Sequence, residues 1–384
     1  MRFLASALSI GSSTRVDDEN PTVRRGTRET RTRGQNQDTH NSEDPDLRIR
    51  TFPTACRLIS RHAVDMTQAR AQLAPVGAPG IFHCVQRCVR RAFLCGFDQY
   101  TGQSFEHRKH WVEQRLQVLA ECFAISVHAY AVMSNHLHIV VELVPEAAAT
   151  WSDEEVASRW VRLFPPREHS NHAAAGKCLQ LLAQPERLRT IRARLTDLSW
   201  LMRCLAEPIA RRANREDGCK GRFWEGRFKA QRLCDERAVL AAMAYVDLNP
   251  IRAGLADRLD TSDHTSVARR IAAFEKTPNR LTAPLGPIMG VLRPDRLALS
   301  TAEYLQLLDW TGRQIAFGKR GRIAADAPSI LNVIDRSPQR WAHRVLGIGN
   351  GYWRAVGTAE DLIGLAEQIG QRWMKGLAFA RSFD

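Results

Sequence analysis

Apolar and polar residues alternate in blocks that mark the ordered part of the chain. Between Gly80 and Cys95 the run Ile81-Phe82-His83-Cys84-Val85-Gln86-Arg87-Cys88-Val89 predicts a first strand. Gln103 to Phe123 sets Trp111, Leu116, Leu119 and Phe123 near helical spacing and predicts a helix. Ile125–Met133 and His136–Leu143 are two further strand-like runs. Ser134-Asn135 between them is a short turn signal, so the pair predicts an antiparallel hairpin. Residues 145–186 mix Ala, Pro and charge and read as an insertion with some helix. Leu188–Asn214 is strongly helical, with Pro208 a point where it breaks or kinks. Arg222–Leu233 is basic, aromatic and strand-like. Asp235 suits the N-cap of a helix running through Ala238, Leu240 and Met243 to Tyr245. Asn249-Pro250 ends or kinks that helix, because a residue before proline avoids the helical region. Residues 261–294, spaced by Pro and Gly from Thr277 on, read as a linker, and residues 295–384 as a small, mostly helical domain. Strand, helix, hairpin, helix, strand, helix is the order of an α+β fold, a small antiparallel sheet backed by helices.

Composition narrows the function classes. A length of 384 residues suits two or three domains, and 44% hydrophobic residues exclude global disorder. No run of ~18 apolar residues exists to span a membrane. Residues 1–65 lack an apolar period and are rich in Arg, Thr, Asn, Asp and Ser, so they predict a disordered N-terminal extension, with Met66 a candidate start. The opening apolar stretch is short and broken by Ser6 and Ser9, which weighs against a secretory signal. Nine Cys with no CxxC pair fit a reduced, cytoplasmic protein. The net charge of +14 asks for a polyanionic partner. The N-terminal extension is not its source, with 11 basic against 9 acidic residues; residues 187–237 hold 14 basic against 7 acidic.

Three local features carry candidate chemistry. In His136-Leu137-His138 the two imidazoles leave one face of a strand, ~7 Å apart in Cα, where they can grip one divalent ion. Chance also produces such pairs. Tyr245, one of only five tyrosines, shares a helical face with Asn249 four residues on. A tyrosine can attack phosphorus, although packing at a helix end is its ordinary role. Lys220-Gly221-Arg222-Phe223-Trp224-Glu225-Gly226-Arg227-Phe228-Lys229 interleaves cations for phosphates with rings that stack on bases or fill a core. Arg222, Trp224, Arg227 and Lys229 are the candidate DNA contacts. The His pair and the tyrosine make sense together, since a metal that polarises phosphate oxygens offsets the weakness of a phenol as a nucleophile.

Val132-Met133-Ser134-Asn135-His136-Leu137-His138, then Gly221-Arg222-Phe223-Trp224-Glu225-Gly226-Arg227-Phe228, then Tyr245-Val246-Asp247-Leu248-Asn249-Pro250-Ile251-Arg252-Ala253-Gly254 stand in this order. Together they resemble the single-tyrosine HUH transposases of the insertion-sequence-200-like superfamily, and most of all the REP-associated tyrosine transposases. The resemblance covers roughly residues 78–260, interrupted by the insertion. It implies a ferredoxin-like or RRM-like sheet, the HUH endonuclease fold, within a catalytic domain at 66–260. It implies Mg²⁺ or Mn²⁺ on His136 and His138 with Asn249 as third ligand, and Tyr245 as the nucleophile. That nucleophile would form a 5′-phosphotyrosine in single-stranded or hairpin DNA, release a 3′-hydroxyl and later rejoin the strands. Many such proteins are homodimers, and a nucleoid-associated setting follows from the substrate. Ser134 stands where relatives often carry Pro.

Two other functions use the same residues. A domesticated, non-cleaving regulator would bind hairpin DNA through the basic segment alone. A metal-dependent phosphodiesterase would keep the His pair, use water as nucleophile and leave Tyr245 idle.

Overall fold

The two strands that carry candidate residues flank a third in one sheet. The computed structural model describes residues 70–383 apart from 90–93, 99–100, 278–280, 294–296, 317–327, 330, 332–334, 336 and 352–353. The N-terminal extension and Met66 lie outside the described residues. The strands are β1 (Gly80–Arg87), β2 (Ile125–Val132), β3 (His136–Leu143), β4 (Lys229–Leu233), β5 (Met289–Gly290) and β6 (Ala355–Val356). They form one sheet in the order β5-β2-β3-β1-β4-β6. All neighbours are antiparallel except β4 and β6. The class is α+β, as the order of elements predicts.

Helices cover both faces of the sheet, which is why β2 and β3 are almost continuously buried. On one face Phe82, Cys84, Leu137, Ile139 and Val141 pack with α1 (His107–Cys122) and with α2 (Asp153–Leu163), α3 (Asn171–Leu182), α4 (Pro185–Arg194) and α5 (Leu198–Glu216). On the other, Ile81, Ala131, Val140 and Leu233 meet α6 (Glu236–Asp247), α8 (Ser266–Lys276), α9 (Thr301–Ala316), α10 (Pro338–Asn350), α11 (Ala359–Gln368) and α12 (Leu377–Arg381). The one-turn α7 (Asn249–Arg252) follows α6 directly. A bulge between Val127 and Ala129 switches the sides of β2, so Val127 serves one core and Ala129 the other.

The insertion holds more regular helix than its composition suggests. The stretch from Leu188 to Asn214 is two helices rather than one: α4 ends at Arg194, and Asp197 starts α5 by accepting a hydrogen bond from the Trp200 amide. Pro208 stays inside α5. Arg108, fully buried on α1, ties that helix to the end of α5 through Glu216 (2.6 Å) and Asp217.

Two C-terminal readings differ from the structure. The segment 261–294 is not only a connection, because it contains the edge strand β5, which pairs with β2. The described residues from 297 on do not stand apart as a helical domain. They supply β6 to the sheet and share one hydrophobic core with α6, in a single compact unit. The reason is β4: its outer edge and the α6 face are both apolar or unpaired until β6, α9 and α10 cover them.

Asp247 shows how this C-terminal packing holds the tyrosine helix. Its carboxylate is fully buried and accepts hydrogen bonds from the Tyr304 hydroxyl (2.7 Å), the Val267 amide (3.0 Å) and the Ser266 hydroxyl. Asp247→Ala leaves these donors unpaired in the core and is expected to cost roughly 3 kcal/mol, measured by denaturant unfolding.

Candidate active site

His136 and His138 open β3 where it leaves the hairpin turn. Val85 and Ala131 stand opposite His138 on the two neighbouring strands, so its side chain rises from a fully paired part of the sheet. Leu137 and Ile139 point into the α1 core, which fixes both imidazoles on the α6 face. The two rings lie 4.8 Å apart between centroids and 76° to one another.

The tyrosine arrives on α6, which begins where Asp235 caps it through the Ala238 amide (2.6 Å). Tyr245 meets His138 edge-on, with ring centroids 5.7 Å apart at 77°. It meets a third imidazole, His83 of β1, at 5.9 Å and 68°. The Arg252 guanidinium sits 4.5 Å from the tyrosine ring centre. On the far side α10 passes so close that a Cβ on Gly349 would lie 2.7 Å from the tyrosine hydroxyl. Glycine at 349 is what lets the ring stand where it does.

The three imidazoles, Tyr245 and Gly349 line one open cavity of about 630 Å³. His83, His136, His138 and Tyr245 share its wall with Arg87, Arg227, Lys229, Glu225 and Gln231. Three cations against one carboxylate make it a site for an anion. Burial holds the imidazoles neutral. It pushes His83 down to about 4 and His136 down to about 4, the latter with help from the Arg87 charge. It pushes His138 well below the usual histidine range, and the neighbouring His83 and His136 act in the same direction.

The sign of the resulting pH dependence follows. In the unfolded chain these histidines take up protons near 6.5, whereas in the metal-free folded chain they do not until about 4 or below. The unfolded state therefore binds more protons between those values, and stability falls as pH drops through that window. Each group contributes up to ~1.4 kcal/mol per pH unit. Denaturant midpoints of metal-free protein at pH 7 and pH 5 check this.

The remaining sequence candidates are placed unevenly. Arg227 and Lys229 are exposed and line the cavity. Arg222 is exposed but is not among the lining residues. Trp224 is half-buried; its indole N–H donates to the Ala206 carbonyl of α5 (2.8 Å) and its ring stands edge-on to Phe223. Phe223 and Phe228 are in the core. Of the strand read at Arg222–Leu233, only Lys229–Leu233 is regular, preceded by a single bridge from Trp224 to Cys88. Asn249 begins α7, buried and outside the lining set, with no partner for its amide nitrogen among the described residues.

Sequence reasoning passed over His83, Arg87, Gln231 and Gly349. The first two stand in a strand read only for its apolar period, and nothing local announces Gln231 or Gly349 as neighbours of the His pair.

Among the described residues no group of three or more His, Cys, Asp or Glu could hold a metal ion. What is present is a pair of neutral imidazoles; the Asn249 atom left without a partner among the described residues is its amide nitrogen, a donor, not the oxygen a cation would need. Asn135 Oδ1 lies 2.5 Å from His136 Nδ1, which leaves Nε2 of that ring as its free nitrogen. Two neutral imidazole nitrogens and an amide oxygen are suitable ligands for a divalent cation.

No family model matches the chain, and no curated protein does. Among solved structures, that of a REP-associated tyrosine transposase bound to a REP hairpin aligns with 58% of this chain and 90% of its own, at 10% identity and a TM-score of 0.27. Likeness at that level carries no argument, so the residues of the cavity must carry it. No helix among the described residues is long and apolar enough to cross a membrane.

Proposed function

We propose that the chain is a metal-dependent DNA transposase of the single-tyrosine HUH kind, cutting and rejoining single-stranded or hairpin DNA. The observation that carries this reading is the meeting of Tyr245 with His138 and His136 in one basic cavity. These residues lie about a hundred positions apart in the chain and converge through separate elements, a strand and a capped helix.

Arg87, Arg227 and Lys229 receive the DNA phosphates. The Tyr245 oxygen attacks the scissile phosphorus. A phosphorus–oxygen bond to the tyrosine forms as the bond to the 3′-oxygen breaks. The phenol gives up its proton and the departing 3′-oxygen gains one, leaving a 5′-phosphotyrosine and a 3′-hydroxyl. His136, His138 and Asn249 are the residues that would hold Mg²⁺ or Mn²⁺. Such an ion, when bound, polarises the phosphate oxygens and offsets the charge that builds on them. Attack by a 3′-hydroxyl on the phosphotyrosine reverses the step and joins strands without another energy source. The Arg252 guanidinium over the Tyr245 ring and the close approach of Gly349 limit the freedom of the tyrosine and favour an oriented attack. The proposal includes a homodimer, as in many single-tyrosine HUH transposases.

The experiment is incubation of the full chain with Mn²⁺ and single-stranded DNA from the flanks of its gene. A protein–DNA adduct resistant to denaturation is the expected product. Binding without an adduct would instead leave the non-cleaving regulator.

A further inference from the structure

Behind His138 runs a chain of buried hydrogen bonds whose direction is fixed at its far end. The Gln231 side-chain nitrogen donates to the main-chain carbonyl of Ile348 on α10, at 3.1 Å. A carbonyl only accepts, so this end of the amide must be its NH₂ end. The Gln231 oxygen therefore faces His83 and accepts from Nδ1, at 2.9 Å. With its proton there, neutral His83 presents a lone pair on Nε2. That nitrogen lies 2.9 Å from Nδ1 of His138, and the two rings stack at 5.1 Å and 13°. Two N–H groups or two lone pairs at that distance would repel, so His138 Nδ1 carries the hydrogen. Its Nε2 is left as a lone pair.

The sheet sets this up. Gln231 and His83 are direct partners across β4 and β1, and His138 is the diagonal neighbour of His83 across β1 and β3. His83 is 2% exposed, His138 5% and Gln231 9%, so water does not compete for these bonds.

We propose that His83 and Gln231 are positioning residues that lock His138 in its Nδ1–H form, so that Nε2 is the atom offered to a divalent cation. The C-terminal segment acts in this through the Ile348 carbonyl. The tautomer follows from the hydrogen bonds alone; only the identity of the bound group rests on the function proposed above. Released from the chain, His138 would exchange between two tautomers and two ring orientations, and only a fraction would present a ligand. Losing a second-layer partner of a ligating histidine costs about 10- to 100-fold in metal affinity.

The test pairs two readouts on the full-length protein. Imidazole ¹⁵N NMR of metal-free protein at neutral pH should show both His83 and His138 with hydrogen on Nδ1 and a bare Nε2. A His138 signal with hydrogen on Nε2 overturns the proposal. Mn²⁺ affinity, read by electron paramagnetic resonance, should fall about 10- to 100-fold in His83→Leu and in Gln231→Leu. His83→Gln can accept from His138 and donate to Gln231, and should stay within a few-fold of the parent. A merely structural site would favour the apolar leucine over glutamine, so His83→Leu binding as well as His83→Gln overturns the positioning role. If the parent binds no Mn²⁺ while NMR still gives Nδ1–H on His138, the lock stands and both the metal reading and its extension here to a cation are overturned. Amide NMR spectra of each variant establish that it is folded, and Gln231→Leu carries the test where a His83 variant is not.

Discussion

Tyr245→Phe is expected to reduce covalent capture of single-stranded DNA by about three orders of magnitude or more. That is the scale of loss when the nucleophile of a cooperating site is removed. The substitution deletes one oxygen and keeps the ring, so the edge-on contacts with His138 and His83 and the cation above the ring survive. DNA affinity should stay within about threefold of the parent, because the cations that line the cavity are untouched. A gel assay for denaturation-resistant adduct, beside a binding titration at fixed salt, separates the two effects. Adduct formation that persists in Tyr245→Phe would assign the nucleophile elsewhere.

The second large effect concerns the His pair. His138→Ala should abolish adduct formation and lower Mn²⁺ affinity by more than about 100-fold, since a direct donor is lost together with the ring that His83 supports. His136→Ala should also abolish adduct formation while leaving the bond between His83 and His138 intact. Chelation of the parent protein should reproduce both phenotypes and be reversed by added Mn²⁺, with binding to hairpin DNA retained throughout. Cleavage unaffected by chelator would remove the metal from the reaction. Turnover without an adduct, dependent on the His pair but not on Tyr245, would instead indicate water as the nucleophile.

Much of this site was legible in the sequence because its residues obey local rules. The parity of β3 put His136 and His138 on one side and Leu137 and Ile139 on the other, and the structure has them so. Asp235 capped a helix that ends at Asp247, two residues past Tyr245. The split of the basic segment also followed from its composition, with Phe223 and Phe228 buried and Arg227 and Lys229 exposed.

What escaped depends on pairing across long separations. His83 becomes a neighbour of His138 only through the register of β1 on β3, and Gln231 a neighbour of His83 only through β4 on β1. β5 and β6 are two residues long, too short for any period to show. The return of α10 over the tyrosine depends on the core it shares with α6, so a segment that looked separable became a wall of the cavity. Trp224 is likewise tied by a pairing that local sequence does not show, its N–H donating to the Ala206 carbonyl of α5.

The most direct measurement is mass spectrometry of the protein after reaction with Mn²⁺ and a single-stranded flank oligonucleotide, followed by protease and nuclease digestion. The peptide containing Tyr245 should carry the added mass of a 5′-linked deoxynucleotide phosphate, with fragmentation placing it on the tyrosine oxygen. Recovery of that peptide only in its unmodified form, from a sample in which the oligonucleotide has been cut, would contradict the account.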